Sequence, residues 1–165
     1  MEEAYVYTPL GTACIAGDET GIQKVTLTDA TAASNEVPSV LESACRQLRE
    51  YFEGERKSFE LTLNPQGTDF QKRVWKALLE IPFGATITYL ELSRRLGDTR
   101  AIRAVASANA KNPLWILIPC HRVIGSDGSM TGYAGGIGRK KWLLNHENPS
   151  GQLSMFQEKP TAWSN

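Results

Sequence analysis

The stretch Thr88–Pro113, TYLELSRRLGDTRAIRAVASANAKNP, decides the fold of this chain. Thr88-Tyr89-Leu90-Glu91 has the form of a capping box, in which a threonine hydroxyl and a glutamate three residues on each satisfy an exposed backbone donor of the other. The helix it opens carries Leu90, Leu92, Ser93 and Leu96 and stops at Gly97, a residue suited to the left-handed end of a helix. After Asp98-Thr99 the spacing predicts a further helix from about Arg100 to Lys111. Asn112-Pro113 halts it, because proline lacks a backbone donor and restricts the residue before it. Two short helices joined by a tight turn containing glycine form a helix-turn-helix.

Upstream, Thr68-Asp69-Phe70-Gln71 is another capping box, opening a helix with Phe70, Val74, Ala77 and Leu78 on one face and an end before Pro82. Asn64-Pro65-Gln66-Gly67 interrupts the periodicity and separates a first lobe, 1–63, from a second, 64–148. The first lobe reads as three short strands, Tyr5–Thr8, Thr12–Ala16 and Ile22–Leu27, followed by a helix over Pro38–Phe52. That makes it a small antiparallel sheet plus helix, an α/β lobe, beside a mainly α second lobe. Cys45 falls on the apolar stripe of the helix and Cys14 in the middle of a strand, so both read as core. Residues 149–165 are polar with scattered apolar side chains and read as a flexible tail.

With 41% hydrophobic residues in 165, the chain supports one good core or two small ones. Three cysteines, an odd number without a CxxC spacing, exclude a disulfide framework and a zinc site of the usual pattern. No metal and no cofactor are expected. Met1-Glu2-Glu3 lacks the apolar stretch of a secretory leader and no run is long enough to span a membrane, so a cytoplasmic protein with reduced thiols is expected. Charge balances at 18 basic and 18 acidic residues. Between Tyr89 and Arg122, however, Arg94, Arg95, Arg100, Arg103, Lys111 and Arg122 face only Glu91 and Asp98. The excess suits a nucleic-acid face, and equally an ordinary solvated helix surface. Five alanines between Ala101 and Ala110 permit close approach to a DNA groove, or tight helix packing.

The chemistry centres on Ile118-Pro119-Cys120-His121-Arg122-Val123, which sets a cysteine beside one of only two histidines. A thiol is a good nucleophile only as thiolate, and a neighbouring imidazole is a common means of producing one. His146 is a rival base on sequence alone. Taken by itself the pair also fits a buried cysteine acting as a small hydrophobe.

From Thr68 to Glu147 the chain resembles the O6-alkylguanine-DNA alkyltransferases, DNA-repair proteins that move an alkyl group from damaged guanine to their own cysteine. Asn112-Pro113, the Ile116–Val123 run, Gly132-Tyr133, Gly135-Gly136, Trp142-Leu143-Leu144 and His146-Glu147 carry the resemblance. The first lobe, opening with Thr8-Pro9-Leu10-Gly11, resembles the family's ribonuclease-H-like lobe more weakly. The resemblance implies a winged-helix-like second lobe and a single-turnover enzyme acting on double-stranded DNA that contains O6-alkylguanine. It implies that Cys120 is the acceptor and that His121 is its base, working through a water and held by Glu147. The damaged base must leave the duplex to be reached. Arg103 would fill the vacated stack, Tyr89 would help turn the phosphate and bind the base, and Arg94 and Arg100 would lie on the DNA face. Backbone groups near Cys120, Val123 and Ala134 would read the guanine edge, with Tyr133 and Gly135 beside them. Asn112 would be the hinge to a strand carrying Cys120.

Two positions depart from the mammalian member of the family. Ala134 stands where that protein has serine, and Trp115 where it has proline, which suggests that Trp115 narrows the pocket against bulky adducts. The mammalian zinc-binding histidines are missing, so the resemblance adds no metal. A monomer is expected, associated with the nucleoid if the source is bacterial. Gln152-Leu153-Ser154-Met155-Phe156 resembles the peptide with which bacterial repair and replication proteins bind the sliding clamp, while docking on the protein's own core is the other reading. Two other classes stand beside alkyl transfer: a helix-turn-helix regulator or lesion sensor without enzymatic activity, and a thiol hydrolase. Sensors of that kind lack the acceptor cysteine, and a hydrolase would turn over.

Overall fold

The computed structural model describes residues 1–31, 36–130, 132–150 and 154–155. They form two compact units, the first comprising residues 1–66 with 113–117, the second residues 67–112 with 118 onward.

In the first unit, β1 (Glu2–Thr8), β2 (Gly11–Asp18) and β3 (Gly21–Thr28) form an antiparallel sheet in that order. Ala4, Val6, Ala13, Ile15 and Val25 turn inward, and α1 (Glu42–Phe52) packs Ala44, Cys45, Leu48 and Tyr51 into the same core. Cys45 is buried as its spacing predicts. Cys14 is only half-buried: it pairs with Tyr5 and Thr26 on the face of β2 opposite Ala13 and Ile15. Strand alternation, which a mid-strand position alone does not fix, decides that difference.

The outer edge of β3 is covered twice. Ile22 exchanges backbone hydrogen bonds with Thr62 and Asn64 (2.9 and 2.8 Å), and Val25 with Pro113 and Trp115 (2.9 and 3.0 Å). Gly21, at φ +137°, lets Thr62 approach so closely that a Cβ would meet its carbonyl oxygen at 2.8 Å. Residues 113–117, which the sequence reading keeps with the second lobe, therefore fold with the first, because they supply donors and acceptors to an otherwise open sheet edge.

In the second unit, α2 (Asp69–Leu78) begins at the predicted capping box: Gln71 N–H donates to Thr68 Oγ1 at 3.1 Å and Thr68 N–H to Gln71 Oε1 at 2.9 Å. A strand the sequence reading omits, β4 (Ala85–Thr88), leads into α3 (Tyr89–Arg95). Only half of the second capping box forms. Thr88 Oγ1 accepts from Glu91 N–H at 3.0 Å, but Arg94 and Arg95 draw the Glu91 carboxylate away. Gly97 ends the helix at φ +99°. Asp98 Oδ1 then accepts from Arg100 N–H at 2.9 Å, and after one 3-10 turn α4 (Ile102–Ala110) packs on α2 and α3. Trp75 Nε1–H, buried on α2, donates to the Ala108 carbonyl at 2.8 Å, locking α2 to α4.

The aliphatic run before Cys120 is not a strand. Ile116 takes φ +73°, unusual for a β-branched residue, and Pro119 supplies no backbone donor. The chain then makes a single 3-10 turn, Cys120–Arg122, before β5 (Val123–Ile124) pairs parallel to β4. A final helix, α5 (Ile137–Glu147), follows. Backbone pairing of β6 (Ser154–Met155) with Ala85 and Thr86 adds a strand to the other side of β4. Gln152, Leu153 and Phe156 of the clamp-like peptide lie outside the described residues. No described helix is long and apolar enough to cross a membrane.

Candidate active site around Cys120

Cys120 is 2% exposed, and two asparagines at the end of α4 hold its segment. Asn112 donates from Nδ2 to the Ile118 carbonyl (2.9 Å) and to the Cys120 sulfur (3.1 Å), while Asn109 Nδ2–H reaches the Cys120 carbonyl at 3.3 Å. Burial pushes the thiol up to about 11, against the opposing pull of the Asn112 hydrogen bond and the Lys140 charge. Cys120 therefore rests as a thiol, and any reaction at its sulfur needs a base.

His121 supplies a lone pair in the right form. Its ring is wholly buried, and Nε2 lies 2.8 Å from Glu147 Oε2. Burial lowers the imidazole below its ordinary value, aided by Arg122 and Lys140 and opposed by Glu147. Burial would raise the Glu147 carboxyl, but His121 and Arg122 together hold it well below the carboxylate range. A neutral ring facing an ionised carboxylate keeps its proton on Nε2 and its lone pair on Nδ1. Nδ1 is buried, with no hydrogen-bond partner among the described residues.

Arg122 completes the cluster. Its Nε and Nη2 donate to the two oxygens of Glu147 at 2.7 and 3.0 Å, and Nη1 donates to the Ile81 carbonyl at 2.7 Å. Lys140 is also fully buried; Nζ donates to the Val123 carbonyl at 2.5 Å and lies 5.7 Å from the centre of the Tyr89 ring. Burial brings its ammonium down to about 8. Tyr133 is buried, and burial together with the nearby Cys120 pushes its phenol well up.

A cavity of about 350 Å³ opens between Tyr89, Ile102, Arg103, Ala106 and Gly132. Gly132 is required there: at φ +86° a Cβ would come 2.9 Å from the Tyr89 hydroxyl. Arg103 is exposed at the start of α4, Arg100 precedes it with Asp98 as its partner, and Arg94 is tied to Glu91. Ala134 is exposed, and the Gly135 carbonyl accepts from Arg139 at 3.3 Å. Trp115 belongs to the first unit, bonded to Val25, and is not among the cavity's lining residues.

The second unit thus assembles Cys120, His121, Glu147, Asn112 and Tyr133 in one buried region and sets Tyr89 and Arg103 on the cavity. Sequence reasoning missed Asn109, Lys140 and the pairing role of Arg122. For Lys140 a signal existed: Lys140, Leu143, Leu144 and Glu147 share one face of α5 by helical spacing, which marks the lysine as inward. His146, the rival base, stacks instead on Trp142, with ring centroids 4.8 Å apart.

A helix-turn-helix beside a buried cysteine, histidine and glutamate defines the class, a DNA-binding protein with a buried polar cluster next to its recognition helices. Residues 69–149 match the family described as "6-O-methylguanine DNA methyltransferase, DNA binding domain", and residues 1–65 match its "ribonuclease-like domain". The chain belongs to the 6-O-methylguanine DNA methyltransferase family. It is 47% identical over 149 residues to the methylated-DNA–protein-cysteine methyltransferase of Methanosarcina barkeri, covering 86% of this chain and 94% of that protein. It is 43% identical over 154 residues to the constitutive enzyme of that name from Bacillus subtilis, covering 87% of this chain and 93% of that one. The crystal structure of Mycobacterium tuberculosis OGT in complex with DNA superposes with a TM-score of 0.82 at 40% identity, over 90% of this chain and 94% of that chain.

Proposed function

We propose that the chain repairs O6-alkylguanine in duplex DNA by transferring the alkyl group to Cys120, once per molecule. The observation that supports this reading is the buried 3-10 turn that carries Cys120 and His121 in succession, with His121 Nε2 committed to Glu147 at 2.8 Å. Its remaining lone pair, on Nδ1, is that of a general base. A bridging water passes the thiol proton to Nδ1, and Glu147, kept ionised by Arg122, stabilises the resulting imidazolium. The sulfur attacks the alkyl carbon, the carbon–O6 bond breaks, and its electron pair stays with the base. Guanine is restored when it takes up the proton shed by the thiol. The thioether on Cys120 has no leaving group to regenerate the thiol, so the protein is consumed.

Tyr89 and Arg103, side by side on the cavity, suit reception of the extruded base and filling of the gap left in the stack. The Asn112 hydrogen bonds support a hinge role between α4 and the Cys120 turn. Backbone groups of Cys120, Val123 and Ala134 are assigned to the guanine edge. The protein acts as a monomer, and a DNA substrate places it with the nucleoid. Gln152–Phe156 is assigned to the sliding clamp, and because Ser154–Met155 line β4, the clamp must draw this segment off that edge. Unchanged clamp affinity after deletion of the tail would discard that assignment.

The decisive measurement is intact mass after incubation with a duplex containing O6-methylguanine. One added methyl, mapped to Cys120, is expected; unmodified protein with unrepaired DNA rejects the proposal.

A further inference from the structure

We infer that Asn109 accepts a hydrogen bond from the exocyclic amine of the extruded base and so biases the reaction toward guanine lesions, a reading that rests on the alkyl transfer proposed above. Asn109 lies on α4 about one turn beyond Ala106, on the face whose Ile102 and Ala106 line the cavity. It is 1% exposed. Its Nδ2–H donates to the Cys120 carbonyl at 3.3 Å, and its side chain hydrogen-bonds Tyr89, which also lines the cavity. The amide therefore sits between the sulfur-bearing turn and Tyr89, one helical turn behind the lining residue Ala106.

Its orientation is fixed by chemistry. A flipped amide would set two acceptors, Oδ1 and the Cys120 carbonyl, against each other. In the orientation that remains, Oδ1 is buried and has no hydrogen-bond partner among the described residues. A buried amide carbonyl without a donor is costly, which makes it an unusual feature to keep beside a substrate cavity.

The lesion offers one matching group. Alkylation at O6 removes the proton from N1, leaving N1, N3, N7 and O6 as acceptors and N9 bound to the sugar. Only the 2-amino group still donates. A buried acceptor on α4 thus meets a base with a single donor group. O4-alkylthymine has no ring N–H or amine left, so it gives Oδ1 nothing.

The test compares transfer rates to the full chain from two duplexes, one with O6-methylguanine and one with O6-methylhypoxanthine, which differs only in lacking the 2-amino group. Asn109→Leu keeps the branched shape and the number of heavy atoms and removes the acceptor. Loss of its bond to the Cys120 carbonyl affects both substrates alike, so the ratio of rates isolates the amine. The guanine-over-hypoxanthine preference of the wild type should fall by about three- to tenfold. Asn109→Ser, smaller and still polar, should lower the ratio similarly and serves if the leucine variant folds poorly. Variants that slow both substrates equally and keep the wild-type ratio overturn the inference. A wild-type chain that transfers from neither duplex fails at the earlier step, the alkyl-transfer reading itself.

Discussion

Among the described residues the first unit buries two polar side chains, Thr12 and Gln47, whereas the second buries eight, including every buried charge: Arg122, Lys140, Glu147 and the titratable His121. Gln47 is an anchor, accepting from Glu60 N–H at 2.9 Å and donating to the Glu60 carbonyl at 3.2 Å, so it only pins a loop to α1. The second unit's group is different in kind. It pairs charges in a buried cluster, and it leaves acceptors on His121 and Asn109 without donors among the described residues. Two cysteines sharpen the contrast. Cys45 and Cys120 are both buried and both raised by burial, yet only Cys120 has an amide on its sulfur and an imidazole next in the chain. Burial alone makes a thiol inert; surrounding polar groups make it usable.

The contrast breaks most sharply at the two cysteines. Cys120→Ala should abolish methyl transfer from duplex DNA while DNA binding survives in a mobility-shift assay. Cys45→Ala should transfer at the wild-type rate and lose about 1 kcal/mol of stability. Transfer by the Cys120 variant would end the acceptor assignment.

Next in size is the ion cluster. Glu147→Gln leaves Arg122 buried without its counter-charge and should cost about 3–5 kcal/mol in urea denaturation, with slower transfer. Gln47→Leu should cost about 1–3 kcal/mol and leave the transfer rate unchanged. Equal effects of the two on transfer would erase the distinction between relay and anchor.

Arg103→Ala, on the exposed start of α4, should slow repair in duplex by about tenfold or more while reaction with the free base O6-methylguanine falls far less. Equal losses would remove its role in holding the duplex open.

The smallest effect is with pH. Glu147 and His121 are both lowered in the folded chain, so each contributes stability that is present above its ordinary value and lost as pH falls. The window runs from about pH 6.5 for His121 to below about 4.5 for Glu147. Amide exchange should therefore show α5 losing protection at a higher pH than β2, which packs no buried charge. Simultaneous loss would contradict a second unit that is the more acid-sensitive.

The helix-turn-helix, both helix starts and the three N-terminal strands are legible in the sequence because each rests on local chemistry: caps, glycine ends and apolar spacing. What escaped it depends on distant partners. Glu91 belongs to a half-formed capping box because two arginines compete for it. Residues 113–117 belong to the first unit because β3 has an open edge, which no local pattern reveals. Cys120 and His121 stand out by adjacency, and the family resemblance singles out Glu147, Tyr89 and Arg103. Asn109 and Lys140 do not stand out, since an asparagine and a lysine on helices read as surface until the packing turns them inward.

The double cover on the edge of β3 bears on how the chain is made. Leu63 closes one end of that edge soon after the strand is synthesised, but Leu114 lies roughly ninety residues beyond its partner Val25. On the ribosome the first sheet must wait, partly open, until about half of the second unit has been translated. Such a distant contact slows the final closure and leaves a pairing edge exposed in the nascent chain. Chains truncated before Pro113 should therefore aggregate, even though they contain every strand of that sheet.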